Sequence, residues 1–114
     1  MPEIHIPFQD RFREPMLNGI KIMTSRTKKY GHKGDFFRIF GAPFLLTEEP
    51  HLEQLGFIAK HFWQKEGVES EADFVLLWGQ IHPYRGFDSK QLVYLHEFRR
   101  LPLEKLEGKV EVRA

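Results

Sequence analysis

The chain has 114 residues, 41% of them hydrophobic, and 17 basic against 16 acidic side chains for a formal net charge of +1. That length supports one cooperative core and is short for two, so a single domain spanning residues 1–114 is expected. A net charge so near zero argues against nucleic-acid binding by bulk charge and leaves a local basic patch as the way to hold a polyanion. The absence of cysteine removes disulfides and thiolate chemistry and fits a cytoplasmic protein. The N-terminus, Met1 to Pro7, lacks a basic region followed by a long apolar run, and no later segment approaches membrane-spanning length. A soluble, unprocessed protein with no membrane partner is the expectation, and the sequence leaves its oligomeric state undetermined. Eleven phenylalanines and two tryptophans imply a core or cleft rich in flat rings.

Ile4, Ile6 and Phe8 alternate with polar or proline positions, the period of a strand buried on one side, with Pro7 marking an edge. Phe12, Pro15, Met16 and Leu17 suit a short helix, with Pro15 near its start and Gly19 just past its end. Ile20 to Arg26 has no helical period and is predicted to be extended. Tyr30 to Asp35 is predicted as a loop, Phe36 to Phe40 as a strand broken by Gly41-Ala42-Pro43, and Phe44 to Thr47 as a second apolar run that pairs with it as a hairpin or continues around a barrel. From Pro50 the spacing becomes helical, Leu52 and Leu55 leading into Phe57, Ile58, His61 and Phe62, until Gly67 stops it. Ser70 with Asp73 three residues later resembles a capping box for a second helix, about Glu71 to Ile81, whose apolar stripe is Phe74, Leu77, Trp78 and Ile81 and which His82-Pro83 ends. Tyr84 to Lys90 is a loop. Gln91 to Phe98 is a strand with Leu92, Tyr94, His96 and Phe98 on one face and Val93 and Leu95 on the other. A turn and a short edge strand are expected between Leu101 and Ala114.

Chemistry concentrates in Met16-Leu17-Asn18-Gly19-Ile20-Lys21-Ile22-Met23-Thr24-Ser25-Arg26. Basic residues cluster from Lys21 to Lys33 with no acid among them, including Lys28 and Lys29, while acids crowd between Glu48 and Asp73. Side chains three apart in a regular strand face opposite ways, so Lys21 and Thr24 meet only if the backbone bends near Ile22 and Met23; Thr24 and Arg26 share a face automatically. A threonine hydroxyl attacks an amide only beside a base, and a lysine serves as one only after losing its proton. Desolvation by Ile20, Ile22 and Met23 and repulsion from Arg26 lower the lysine pKa, whereas a nearby carboxylate raises it.

The order of several separated motifs resembles the ASCH domains of the PUA-like superfamily. They are Phe8 and Arg11-Phe12, then G-x-K-x-x-T-x-R from Gly19 to Arg26, Gly34-Asp35 opening a strand, Glu66-Gly67-Val68-x-Ser70 before Phe74 and Trp78, and Leu92-Val93-Tyr94-Leu95-x-x-Phe98. The resemblance implies an α+β fold, a PUA-like small mixed β-barrel with flanking helices, and RNA or a modified nucleoside as partner. It also implies proposed catalytic positions, because an N4-acetylcytidine amidohydrolase of that superfamily carries a lysine, a threonine and a glutamate, which map onto Lys21, Thr24 and Glu66. Hydrolysis of an N4-acylated cytidine follows as one expectation, and a noncatalytic RNA-binding module as the other. The long helical insert from Pro50 to Ile81 resembles the wider ASCH group more than the minimal amidohydrolase.

Single-stranded RNA is held by cations on phosphates and aromatic faces on bases. Arg26, Lys28, Lys29, Tyr30, Tyr84 and Arg85 are the candidate binding residues. Tyr84, Arg85 and Phe87 lie in a loop and are expected to be exposed, whereas Phe36, Phe74 and Trp78 sit at inward positions. A helix-turn-helix is disfavoured, since Glu71 and Asp73 would open its recognition helix against phosphates. The six histidines show neither H-x-x-x-H nor H-E-x-x-H spacing, so no metal and no other cofactor is expected. An interaction subunit without a nucleic-acid role is the remaining reading.

Overall fold

The computed structural model describes residues 1–102. In chain order its elements are β1 (Glu3–Ile4), α1 (Arg13–Leu17, entered through a 3-10 turn at Asp10–Phe12), β2 (Met23–Arg26), β3 (Phe36–Ile39), β4 (Ala42–Leu46), β5 (His51–Gln54), α2 (Leu55–Phe62), α3 (Glu71–Ile81) and β6 (Leu92–Arg100). They make a mixed α+β fold in which one six-stranded sheet has the order β1-β3-β4-β6-β2, with β5 also on β6.

The nine-residue strand β6 is the axis of this sheet. Along one edge β4 and β5 lie end to end, Leu46 opposite Phe98 and His51 opposite Leu95. Along the other edge runs β2, from Met23 opposite Glu97 to Arg26 opposite Tyr94. The sheet is open, because among the described residues no ladder joins β1 to β2; the expected barrel closure is therefore corrected to an open sheet.

Alternation along β6 divides the interior in two. Phe98 joins Ile6, Phe12, Met16, Phe37, Phe44 and Leu46 on one face, while Val93 and Leu95 join Met23, Leu55, Ile58, Phe74 and Trp78 beneath α2 and α3 on the other. Phe37 stacks on Phe44 at 5.5 Å between centroids and meets Phe98 edge-on at the same distance.

Three further expectations are corrected. Residues 51–54 form β5 rather than a first helical turn, because β6 offers an edge whose pairing satisfies their backbone, and α2 begins only at Leu55. Leu52 stays half exposed on that strand, so its spacing from Leu55 mimicked a helix without sharing one buried face. Gly41-Ala42-Pro43 does not break the chain: Phe40 and Gly41 both take positive φ in a two-residue hairpin turn, and β4 starts at once with Ala42 opposite Ile39. Pro43 accepts a bond from the Leu101 N–H but has no N–H to return, which ends the ladder with β6. Near the N-terminus only Glu3–Ile4 pairs, parallel to β3, and the expected strand stops before Pro7. The turn and strand expected from Leu101 onward fall, beyond Pro102, outside the described residues.

Other local signals act as the sequence implies. The Ser70 hydroxyl accepts the Asp73 N–H at 3.0 Å at the start of α3. Gly19, at φ +76°, lets the chain leave α1 so that the Ile20 and Lys21 N–H groups both donate to the Pro15 carbonyl.

Phe37 is fully buried in the ring cluster. Phe37→Ala is expected to lower unfolding free energy by about 3–5 kcal/mol in urea titration; a loss under about 1 kcal/mol would show that the cluster collapses around the gap.

Candidate functional site

A cavity of about 420 Å³ opens between the free edge of β2, α3 and the segment from Pro7 to Phe12. Lys21, Thr24, Arg26, Tyr30 and Glu66 all line it, together with Phe8, Phe12, Ser25, Trp78 and His82. Five of these carry aromatic or imidazole rings that give it flat walls, and the polar groups gather on the β2 side.

The backbone bend that brings residue 21 toward this cavity is visible in its hydrogen bonds. Successive amides of a regular strand point opposite ways, yet the Ile22 and Met23 N–H groups both donate to the Lys65 carbonyl, at 2.9 and 3.1 Å. Regular pairing begins only at Met23. Lys21 then folds back, and its Nζ donates to the Met23 carbonyl at 2.7 Å and to the Glu66 carbonyl at 2.6 Å. A Glu66 carboxylate oxygen lies 3.5 Å away, and the ammonium rests 4.4 Å from the centre of the Phe12 ring.

Burial dominates the charge balance here. Desolvation lowers the Lys21 pKa from 10.5 to about 8, against the opposing pull of Glu66 and with a smaller push from Arg26. An ammonium that loses its proton at such a value is within reach of both states near neutral pH.

Glu66, nearly fully buried, reaches the cavity from the turn after α2 and spans two partners. The Ser25 hydroxyl donates to Oε2 at 2.6 Å while Oε1 faces Lys21. Gly67 makes this approach sterically feasible. It holds φ +88°, and a Cβ there would sit 2.8 Å from the Lys21 Cβ.

Thr24 and Arg26 form a second polar pair. Arg26 Nε donates to the Thr24 hydroxyl oxygen at 3.0 Å, Nη2 donates to the Pro7 carbonyl, and the guanidinium packs on Phe8 (4.8 Å) and Tyr30 (5.7 Å). Burial pulls the Arg26 pKa down while Tyr30 and Glu66 offset it. Among the described residues no hydrogen bond joins Lys21 Nζ to the Thr24 hydroxyl. Behind this pair, His96 is fully buried; its Nε2 accepts the Tyr30 N–H at 3.0 Å, which leaves the proton on Nδ1, directed at the Thr24 and Tyr94 carbonyls. Burial lowers the His96 pKa, and the neutral ring thereby fixes the Tyr30 loop to β2.

The remaining candidates lie away from the cavity wall. Lys28 covers the Tyr30 ring at 4.7 Å. Lys29 forms an ion pair with Glu49, whose carboxylate also accepts from the Lys33 N–H and meets His32; bonding to Lys29, then to the Lys33 amide and His32, draws the Glu49 pKa down to about 2. Tyr84 is fully exposed and Arg85 lies 3.8 Å from Asp88. Sequence reasoning passed over Ser25 although it stands between two named residues, because its partner is 41 positions away. It placed Trp78 in the core; the ring is buried, yet it also walls the cavity, meets the His82 ring at a tilt with centroids 4.2 Å apart and keeps its indole N–H without a partner among the described residues. Those residues include no group of three His, Cys, Asp or Glu suited to a metal ion, and no helix long and apolar enough to cross a membrane.

No protein-family model matches the chain, and no curated protein does. Solved structures do match. The ASCH domain from Lactobacillus crispatus JV V101 superposes with a TM-score of 0.57 at 11% identity, over 87% of this chain and 78% of that one. The fold is ASCH-like. Similar too are the hypothetical protein PH0355 (TM-score 0.60, 17% identity, 82% of this chain and 94% of that one) and the DUF984 protein EF3133 from Enterococcus faecalis V583 (0.58, 17%, 91% and 76%). At these identities the likeness is one of fold.

Two outcomes check this electrostatic description. Lys21 holds fewer protons when folded than when unfolded between about pH 8 and 10.5, so its contribution to stability rises across that window and is least favourable below it. The pH slope of unfolding free energy over that range should flatten in Lys21→Met, and an unchanged slope would contradict the lowered pKa. Gly67→Ala should cost at least about 1–2 kcal/mol from its backbone conformation alone and should displace Lys21; a wild-type melting temperature would contradict the close packing.

Proposed function

We propose that the cavity binds a modified nucleoside, free or at an accessible position in RNA, and hydrolyses the amide of an N4-acylated cytidine. The observation that carries this reading is the buried Lys21 beside Glu66 at one side of a ring-walled cavity, with the Thr24 hydroxyl and Arg26 at the same wall. The cavity volume lies in the range of small-molecule sites, and its aromatic faces suit a planar base.

In this mechanism the Thr24 hydroxyl attacks the acyl carbon while neutral Lys21 takes its proton. The oxygen that becomes negative is met by Arg26, which retains N–H donors beyond those given to Thr24 and Pro7. Collapse breaks the bond between the acyl carbon and N4, and the Lys21 ammonium returns its proton to the leaving amine. Water then cleaves the acyl ester on Thr24, releasing the carboxylic acid. Glu66 orients Lys21 and stabilises its charged state between these steps. Lys21 must swing from its two carbonyl partners toward Thr24 when substrate enters, a motion of one flexible side chain.

A specific observation favours a second reading, a noncatalytic RNA-binding module: the Thr24 hydroxyl accepts from Arg26 rather than contacting Lys21. The same cations would then serve phosphates. Incubation with N4-acetylcytidine separates the two. The hydrolase reading predicts release of cytidine and acetate, a loss of at least about 100-fold in Lys21→Ala and Thr24→Ala, and activity that climbs as pH rises toward about 8. Absence of turnover above those variants, with salt-sensitive RNA binding weakened by Lys21→Ala, would favour the module instead.

A further inference from the structure

Glu66 is shared between a hydroxyl and an ammonium, and the two contacts are unequal. Ser25 Oγ donates to Oε2 at 2.6 Å, a short charge-assisted bond, whereas Oε1 stands 3.5 Å from Lys21 Nζ, beyond a close ion-pair contact. All three residues are buried at the cavity wall. The Lys21 Nζ has closer partners in the Met23 and Glu66 carbonyls.

We infer that Ser25 is a positioning residue, whose hydroxyl tethers one oxygen of Glu66 and holds the other short of full contact with Lys21. The inference deepens the proposed function, resting on the reading in which Lys21 accepts a proton. A carboxylate in direct contact would stabilise the ammonium and make that proton hard to lose, while removal of the carboxylate would leave burial unopposed. The tether sets the lysine between these limits. The neighbouring Thr24 hydroxyl accepts from Arg26, two positions along β2, and among the described residues has no hydrogen bond to Glu66.

The other groups facing Lys21 do not replace this control. Arg26 on β2 repels it, and from the Asp10–Phe12 turn only the uncharged ring of Phe12 lines the cavity. The Tyr30 phenol lies on the loop wall beside Arg26. At the C-terminal end of α3 stands His82, whose pKa burial lowers. Glu66 is thus the anion on this wall, and its placement is the adjustable quantity.

The test follows the Lys21 ammonium directly, by the pH dependence of its side-chain NMR shifts in the full chain. Ser25→Ala should move the titration midpoint upward by about one pH unit as Glu66 closes on Lys21. Ser25→Thr, which retains a hydroxyl, should restore the wild-type midpoint. In a Glu66→Gln background the midpoint should fall, and Ser25→Ala should then have no further effect. Ser25→Cys, similar in shape with a weaker donor, should shift the midpoint in the same upward direction and stands in should the alanine variant not fold. An unchanged or lowered midpoint in Ser25→Ala and Ser25→Cys, or a shift that persists without the Glu66 charge, would overturn the positioning role. Turnover of N4-acetylcytidine with an unmoved midpoint would overturn it alone. A moved midpoint without turnover would sustain the tether while removing the hydrolase reading.

Discussion

A buried ammonium joins the two parts of the chain from which the cavity wall is made. Lys21 Nζ bonds the Met23 carbonyl at the entry to β2 and the Glu66 carbonyl in the turn after α2, while Lys65 accepts both the Ile22 and Met23 amides. The bend, the turn and the glycine at residue 67 are therefore one interlocked unit. Without room at Gly67 the lysine stem has no path, and without the bend its amine has no access to the Glu66 carbonyl. Each partner orders a segment that would otherwise be free to adopt other conformations, and burial of the assembly makes any unpaired member costly.

The same unit explains why the sheet edge is a candidate site instead of an aggregation-prone edge. β2 is the last strand of the sheet, and a bare edge invites pairing with another chain. Here the Pro7–Phe12 segment and α3 stand over it without adding a strand, so polar groups of β2 face a half-open cavity. Burial then acts with one sign on the basic groups, lowering the pKa of Lys21, Arg26, His82 and His96. Outside, Glu49 pairs with Lys29 and accepts from the Lys33 backbone amide.

How much of this was legible in the sequence depended on distance along the chain. The Ser70 cap, the Gly19 exit and the two faces of β6 rest on neighbours within a few residues, and their spacing announced them. The parity of a strand likewise implied that Lys21 and Thr24 share a cavity only across a bend. β5 was illegible because its identity is decided by the edge of β6, some 40 residues later in the chain, and helical spacing of Leu52 and Leu55 pointed the other way. Pro43 looked like a breaker, yet it occupies a ladder end where its missing N–H does little harm. The Ser25–Glu66 bond and the cover that Glu49 gives Lys29 are tertiary facts with no local signature. Trp78 shows the limit of periodicity, which identifies an inward side but does not distinguish a packed core from a cavity wall.

The most direct measurement is a crystal structure of the Thr24→Ala variant with N4-acetylcytidine, where the missing hydroxyl should preserve the ligand intact. The account predicts the base against the aromatic walls of the cavity, the acyl carbon above residue 24, and the acyl oxygen facing Arg26, with Lys21 turned toward the amide. A ligand bound elsewhere, or an empty cavity at saturating nucleoside with Lys21 still clasped by the Met23 and Glu66 carbonyls, would contradict it.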